Sequence, residues 1–136
     1  MAKTFSILFD SYHLYHLPQF EPLIYLLSKD TRFRIYHSNS RSINKEEFNL
    51  CSKVLKKLPG NYIQSSSEEE RAELIRNLNL DVFICGWSRY ELQKYVKKNT
   101  LVGMIYHGIG IKPSYWLDNH YRIDFRLVEG RYRIDQ

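Results

Sequence analysis

The sequence predicts a doubly wound α/β domain built on a mainly parallel sheet of about six strands. Short apolar runs typical of buried strands alternate with segments in which apolar residues recur at helical spacing. Capping-box patterns, in which Asn or Ser is followed three residues later by Glu, stand before three of the helical segments. Short loops join the elements, and this alternation is typical of βαβ units with helices on both faces of the sheet.

The strands are predicted from apolar runs bounded by polar residues or turns. They lie at residues 4–9, 33–37, 61–64, 81–85, 101–106 and 124–128. The fifth run is too apolar for a strand that ends in solvent, so it is expected inside the sheet, with its end in the crevice where such sheets bind ligands.

Four helices are predicted between these strands. The first opens at Pro18, and its apolar residues Phe20, Leu23, Ile24 and Leu27 follow the spacing of one helix face. The other three start at capping pairs: Asn44 with Glu47, Ser67 with Glu70, and Ser88 with Glu91. They are expected to run to the Pro-Gly at 59–60, to about residue 78, and from 89 to about 97.

Composition limits the function classes. The 136 residues suit one domain, and the net charge of +5 is spread along the chain without a basic tract, which argues against a nucleic-acid partner. Cys51 and Cys85 form no CxxC pair and are expected to be buried, reduced thiols. No Walker loop or GxGxxG appears, and His13 and His16 lack a matching ligand set, so neither a cofactor nor a metal is expected.

Localisation follows from segments that the sequence lacks. No apolar run approaches transmembrane length, and the first residues do not form the apolar region of a signal peptide. The expected location is the cytoplasm, with peripheral association at the inner face of the membrane as a further expectation.

The end of the sequence predicts a longer native protein. Residues 81–90 and 124–133 share one pattern, an Asp followed by a strand, a Gly and a polar-aromatic turn. A helix is predicted after the first copy, whereas the sequence ends after the second, which would leave apolar surface of the sixth strand uncovered. Residues 1–136 are therefore expected to form the N-terminal domain of a two-domain protein. The alternative is a natural short domain with an uncovered edge.

The most distinctive candidate site follows the fifth strand. Gly108 and Gly110 permit a tight turn and a close approach of backbone to ligand. His107 is suited to act as a general base, and Lys112 to neutralise a phosphate. These residue types together favour transfer chemistry on a phosphorylated donor. The alternative, a Gly-rich turn whose His caps a backbone carbonyl, stays open.

A second candidate site follows the first strand, where Asp10, Ser11 and His13 are positioned to contact a polar substrate. The alternative is a helix-entry loop with ordinary polar residues. A third lies at 86–88, where helix-start amides are suited to hold an anion, although Ser88 fits a helix cap better. His37, at the end of the second strand, is expected to be structural.

Several of these segments resemble the CDP-glycerol glycerophosphotransferase family, the teichoic-acid polymerase and primase type. The family carries an HG-x-x-x-K turn after an apolar strand, and HGIGIK at 107–112 follows the apolar segment 102–106. FDS at 9–11 is similar to the family's F-E-S segment, and PLIYLL at 22–27 to its helix after Asn-Pro. The family has Thr-Pro after His-Gly, where this chain has Ile109-Gly110, and Glu21 replaces the Asn before Pro22.

The resemblance implies a GT-B fold, of which this chain is the Rossmann-like, acceptor-side half. It implies that His107 is the catalytic base toward the acceptor hydroxyl, and that a second domain binds most of the nucleotide-linked donor. The expected function is transfer of glycerophosphate or a sugar from such a donor to a polyol or glycan acceptor of the cell envelope. The alternatives are a non-catalytic α/β binding domain and another GT-B enzyme that uses a sugar nucleotide.

Overall fold

The computed structural model describes residues 2–86, 91–106 and 121–128. Its centre is a six-stranded, all-parallel sheet in the order β3-β2-β1-β4-β5-β6, which confirms the predicted Rossmann-like α/β fold. The strands are β1 (Phe5–Ser11), β2 (Phe33–Asn39), β3 (Asn61–Tyr62), β4 (Val82–Cys85), β5 (Leu101–Ile105) and β6 (Phe125–Leu127). The helices are α1 (Leu17–Ser28), α2 (Lys45–Leu55) and α3 (Glu68–Asn77).

The strand order reverses at the centre of the sheet. The chain builds outward from β1 through β2 to β3, and then returns to place β4 on the other side of β1. Phe9 of β1 is in register with His37 of β2 and with Ile84 of β4. A doubly wound sheet opens a crevice at such a reversal, beyond the carboxyl ends of the strands.

Successive side chains of a strand point to opposite faces of the sheet. Both faces carry apolar side chains, and helices cover both. On one face Ile7 and Phe9 of β1 pack in a cluster with Phe20 and Ile24 of α1. On the other face Leu8 packs in a separate cluster that includes the buried Ile75 of α3. Strands buried on both faces are typical of parallel sheets, so the near-continuous apolar runs of the sequence have a direct structural cause.

The predicted fourth helix is wrong over the residues that the structure describes. Between residues 91 and 97 only Leu92–Lys94 is helical, as a single 3-10 turn. Leu92, Tyr95 and Val96 are buried, and the amides of Tyr95 and Val96 both donate to the carbonyl of Leu92. The capping pair of Ser88 and Glu91 predicted an α-helix here, whereas the described residues form one turn that inserts three side chains into the core.

Other boundaries differ by small amounts. The third strand is shorter than the predicted 61–64, because pairing with β2 is limited to Asn61 and Tyr62.

Cys51 and Cys85 are buried free thiols, as expected. Within the described ranges, no helix combines the length and the apolar character needed to cross a lipid bilayer.

Candidate functional site

The candidate site is the carboxyl edge of the sheet around β1 and β4. Ser11 ends β1 and leads into a 3-10 turn at Leu14–His16, directly before α1. His16 is buried, and its ring lies over Gly86, the residue after β4. A Cβ atom at Gly86 would stand 2.8 Å from His16 Cγ, which is closer than side chains pack. The absent side chain of Gly86 therefore lets the loop after β1 close over the end of β4.

Asp10 lies at the end of β1 with no exposed surface and belongs to a buried ion network. Its Oδ1 accepts hydrogen bonds from Ser38 Oγ and from Arg71 Nη1, each at 2.5 Å. Arg71, on α3, is 2% exposed and also donates to Glu68 through Nε and Nη2. One guanidinium thus joins two carboxylates, in the fork geometry that suits Arg in buried pairs.

Glu68 is the outer member of this network. Its carboxylate also accepts from Tyr95 Oη at 2.7 Å and from the backbone amide of Arg41 at 2.8 Å. Burial opposes ionisation of Glu68, but the hydrogen bonds and charge of Arg71 outweigh it and hold the pKa of Glu68 below its ordinary value. Burial likewise opposes the charge on Arg71, and the two carboxylates keep the pKa of Arg71 raised.

The network fixes the geometry of the edge. It joins β1, β2 and α3 to the 3-10 turn of Tyr95, whose ring lies 4.7 Å from the guanidinium carbon of Arg71. Asp10 Oδ2 is buried and has no hydrogen-bond partner among the described residues. Protein groups hold Oδ1 of Asp10, and the predicted contact between Asp10 and a substrate stays a prediction.

Ser11 also lies below the surface. Its side chain has no exposed area, and no hydrogen-bond partner for its Oγ occurs within the described ranges. Its backbone carbonyl accepts from the amide of Ser40, which ties the loop after β2 to the end of β1. A substrate contact for Ser11 remains a prediction, and the described contacts give its backbone a structural role.

His13 has a different environment. Its Nδ1 lies 3.0 Å from Oε1 of Glu47, in the first turn of α2, and the same oxygen accepts from the amide of Leu14 at 3.1 Å. The side chains of His13 and Glu47 are 22% and 25% exposed, so both reach solvent. The His13 ring stacks on Tyr15 at 4.8 Å between centroids and meets the edge of Tyr12 at 4.9 Å.

Sequence reasoning missed Glu47 as part of this site. It assigned Glu47 to a capping box, and Asn44 Oδ1 does accept the Glu47 amide at 2.9 Å. The carboxylate, however, turns to His13, which is 34 residues away in the sequence. A cap pattern describes local contacts only, so no local signal in the sequence indicates this pair.

His37 is structural, as expected. It is fully buried, and its Nε2 lies 2.6 Å from the carbonyl oxygen of Pro59. Burial lowers the pKa of His37 against a raising effect of that hydrogen bond, so the neutral ring is favoured. Gly60 has a φ of 117°, and a side chain there would also collide with the His37 ring.

The remaining predicted residues lie outside the described ranges. These are His107, Gly108, Gly110 and Lys112 of the turn after β5, and Trp87 and Ser88 after β4. β5 ends at Ile105, two positions before His107 in the sequence. No cluster of His, Cys, Asp or Glu suited to a metal ion occurs in the part of the chain that the structure describes.

A comparison with protein-family models finds no match to the chain, and neither does a comparison with curated proteins.

Proposed function

We propose that the chain is the acceptor-side domain of a transferase that moves glycerophosphate, or a sugar, from a nucleotide-linked donor to a polyol or glycan hydroxyl. The observation that carries the proposal is the reversal of strand order between β1 and β4. Ligands of doubly wound sheets bind beyond the carboxyl ends of strands at such a point. In this chain a solvent-reaching histidine, His13, stands at that edge.

The proposed chemistry uses the turn after β5. For a CDP-glycerol-like donor, the acceptor oxygen forms a new bond to the phosphorus of the glycerophosphate group. The bond from that phosphorus to the bridging oxygen breaks, CMP leaves, and His107 takes the proton of the acceptor hydroxyl. Lys112 offsets negative charge on the phosphate groups. The roles of His107 and Lys112 come from the resemblance of residues 107–112 to the glycerophosphotransferase turn.

The buried ion network favours a second candidate, a non-catalytic α/β binding domain. Arg71 pairs with Oδ1 of Asp10 and with Glu68, and a buried pairing of this kind suits a scaffold better than reacting groups. A domain of this kind would bind a polar ligand at the same edge without transferring any group. The two candidates share the fold and differ in turnover.

Turnover therefore tests the proposal. The full-length protein is incubated with radiolabelled CDP-glycerol and a lipid-linked glycerophosphate acceptor, and label in the polymer is counted. The proposal predicts incorporation by the full-length protein and none by residues 1–136 alone, since the donor is assigned to a second domain. Acceptor binding without incorporation across several nucleotide-linked donors would instead identify the binding domain. Sustained turnover by residues 1–136 would contradict the two-domain assignment.

A further inference from the structure

We propose that the amino edge of the sheet, where every strand begins, is a docking surface for a bilayer that contains anionic lipid. In the sequence, positive charge is spread along the chain. The fold gathers it, because in a parallel sheet every strand begins, and every connecting helix ends, at the same edge. The proposal does not depend on transferase activity, since docking and turnover are measured separately.

Exposed cations from separate parts of the sequence meet at the amino edge. They precede β1 and β5, or lie at the ends of α1 and α2 and in the turns after these helices: Lys3, Lys29, Arg32, Lys56, Lys57 and Lys98. Backbone contacts show that the edge is continuous. The amide of Phe5 donates to the carbonyl of Arg32 at 2.7 Å, and the amide of Leu101 donates to the carbonyl of Asp81 at 2.9 Å. These contacts join the starts of β1 and β2, and the starts of β4 and β5.

The acidic residues at the same edge are already held by protein groups. Asp30 binds Arg32 at 2.6 Å, and Asp81 binds Lys3 at 2.8 Å. Asp124 accepts a backbone amide of β5 at 2.7 Å. Within the described ranges, no ion pair involves the remaining cations of the edge, which are Lys29, Lys56, Lys57 and Lys98. The amino edge therefore keeps a positive excess.

Helix dipoles explain only part of this positive charge. Cations at the C-terminus of a helix complement its macrodipole, which accounts for Lys29 and Lys56 at the ends of α1 and α2. The macrodipole does not account for Lys3, Arg32 or Lys98, which precede strands, where net dipoles are small. The positive excess is therefore a property of the edge as a whole.

The opposite, carboxyl edge is acidic but too far away to cancel this charge. The first turns of α2 and α3 contribute Glu46, Glu47, Glu68, Glu69 and Glu70 there. β1 has seven residues, which span roughly 23 Å at about 3.3 Å per residue. Salt screens charges over roughly 8 Å at physiological ionic strength, so a bilayer at the amino edge is attracted by the cations and hardly repelled by the acids. The candidate site then faces away from the lipid.

Exposed apolar side chains at the amino edge favour lipid over other polyanions. Phe5 and Leu101, the first residues of β1 and β5, are 40% and 53% exposed. The ammonium group of Lys3 lies 5.0 Å from the centre of the Phe5 ring. A peripheral lipid contact combines cations at the headgroup level with apolar side chains in the acyl boundary below it. A nucleic acid offers phosphates to the cations but no apolar layer to Leu101.

Vesicle co-sedimentation of the full-length protein tests the proposal. At roughly 0.1 M salt, wild type is expected to bind vesicles that contain about a third phosphatidylserine, and not vesicles of pure phosphatidylcholine. Lys56→Gln/Lys57→Gln should weaken binding about 25-fold, about fivefold for each lysine. The control Lys45→Gln/Lys94→Gln removes the same charge from the carboxyl side, where Lys45 opens α2 and Lys94 interacts electrostatically with Glu69. It should weaken binding less than about twofold.

Three results of this experiment would overturn the proposal. The first is the absence of binding to phosphatidylserine vesicles by wild type. The second is an equal loss of binding in the two double variants, which would show a response to net charge rather than to the amino edge. The third is binding to a mixed-sequence oligonucleotide that depends on Lys56 and Lys57 while vesicles stay unbound, which would identify a nucleic-acid surface instead.

A fluorescent label tests which edge meets the lipid. Cys51 and Cys85 are buried, so a thiol-reactive dye attaches to an introduced cysteine. Asn99→Cys places the dye at the amino edge before β5, and Gln64→Cys places it at the carboxyl edge after β3, both at exposed positions. Phosphatidylserine vesicles should shift the emission of an environment-sensitive dye to shorter wavelength in Asn99→Cys and leave it unchanged in Gln64→Cys. A shift in Gln64→Cys without one in Asn99→Cys overturns the assignment of the amino edge.

Discussion

Nη1 of Arg71, on α3, lies 2.5 Å from Oδ1 of Asp10 at the end of the central strand β1, and both side chains are buried. This contact joins a helix to the strand from which the candidate site begins. A buried ion pair contributes little net stability compared with a well-packed apolar pair, but removal of one partner leaves the other charge uncompensated. The pair therefore holds the edge in one geometry.

Arg71→Ala should destabilise the domain by about 3–5 kcal/mol, because it leaves the buried carboxylate of Asp10 and the partly buried carboxylate of Glu68 without their cation. Arg34→Ala, at an exposed position of β2, is the matched control and should change stability by less than about 0.5 kcal/mol. Urea unfolding followed by circular dichroism measures both. The double variant Asp10→Ala/Arg71→Ala should be less destabilised than the sum of the single variants, and strict additivity would contradict the network.

Acid should weaken the fold partly through Glu68. The folded state lowers the pKa of Glu68 below 4.5, so its contribution is fully present above that value and is lost as pH falls through the lower folded pKa. Glu68→Gln should therefore reduce the loss of stability between pH 6 and pH 3. Glu73→Gln, an exposed neighbour on α3, should keep the wild-type profile. Identical profiles for wild type and Glu68→Gln would refute the assignment.

Gly86→Ala should destabilise the domain by about 1–3 kcal/mol, because the new Cβ overlaps the buried His16 ring. Thermal unfolding of Gly86→Ala, His16→Ala and the double variant tests this contact. The double variant should be no less stable than His16→Ala alone, since the overlap disappears with the ring. A further loss in the double variant would place the cause elsewhere in the backbone.

Cys51 should resist alkylation in the folded protein. It is buried, and burial together with the nearby charges of Glu47 and Asp10 raises its pKa to about 12, so little thiolate is present at neutral pH. Iodoacetamide labelling at pH 8, read by peptide mass spectrometry, should show no modification until denaturant unfolds the domain. Rapid native labelling of Cys51 would contradict its buried position.

The sequence predicted the fold well because the fold depends on local patterns. Apolar runs such as that of β1 indicate a strand buried on both faces, and Asn44 and Ser67 do cap α2 and α3. The fourth helix was wrong over the described residues because its prediction rested on the capping pair of Ser88 and Glu91. A cap pattern does not fix how far a helix continues, and Leu92–Lys94 form only one 3-10 turn.

The candidate site was predictable only in part. The sequence placed Asp10, Ser11 and His13 at the end of β1. It did not predict how deeply each side chain is buried, since burial depends on packing between distant elements. From the sequence alone, Arg71 is expected to be a charged residue at the protein surface. It nevertheless lies four residues before the buried Ile75, on the same helix face. That position on an apolar face is the one local signal of the ion network, whereas the contact of Glu47 with His13 has none.

The most direct test of the proposed transferase is the turnover number of the His107→Ala variant in the full-length protein. CMP release from CDP-glycerol is measured at saturating acceptor, beside the melting temperature of each protein. A catalytic role of His107 predicts that kcat falls by about 10²–10⁴-fold with unchanged melting, because general-base assistance is lost while the fold is kept. Near-normal kcat together with unchanged melting would contradict it.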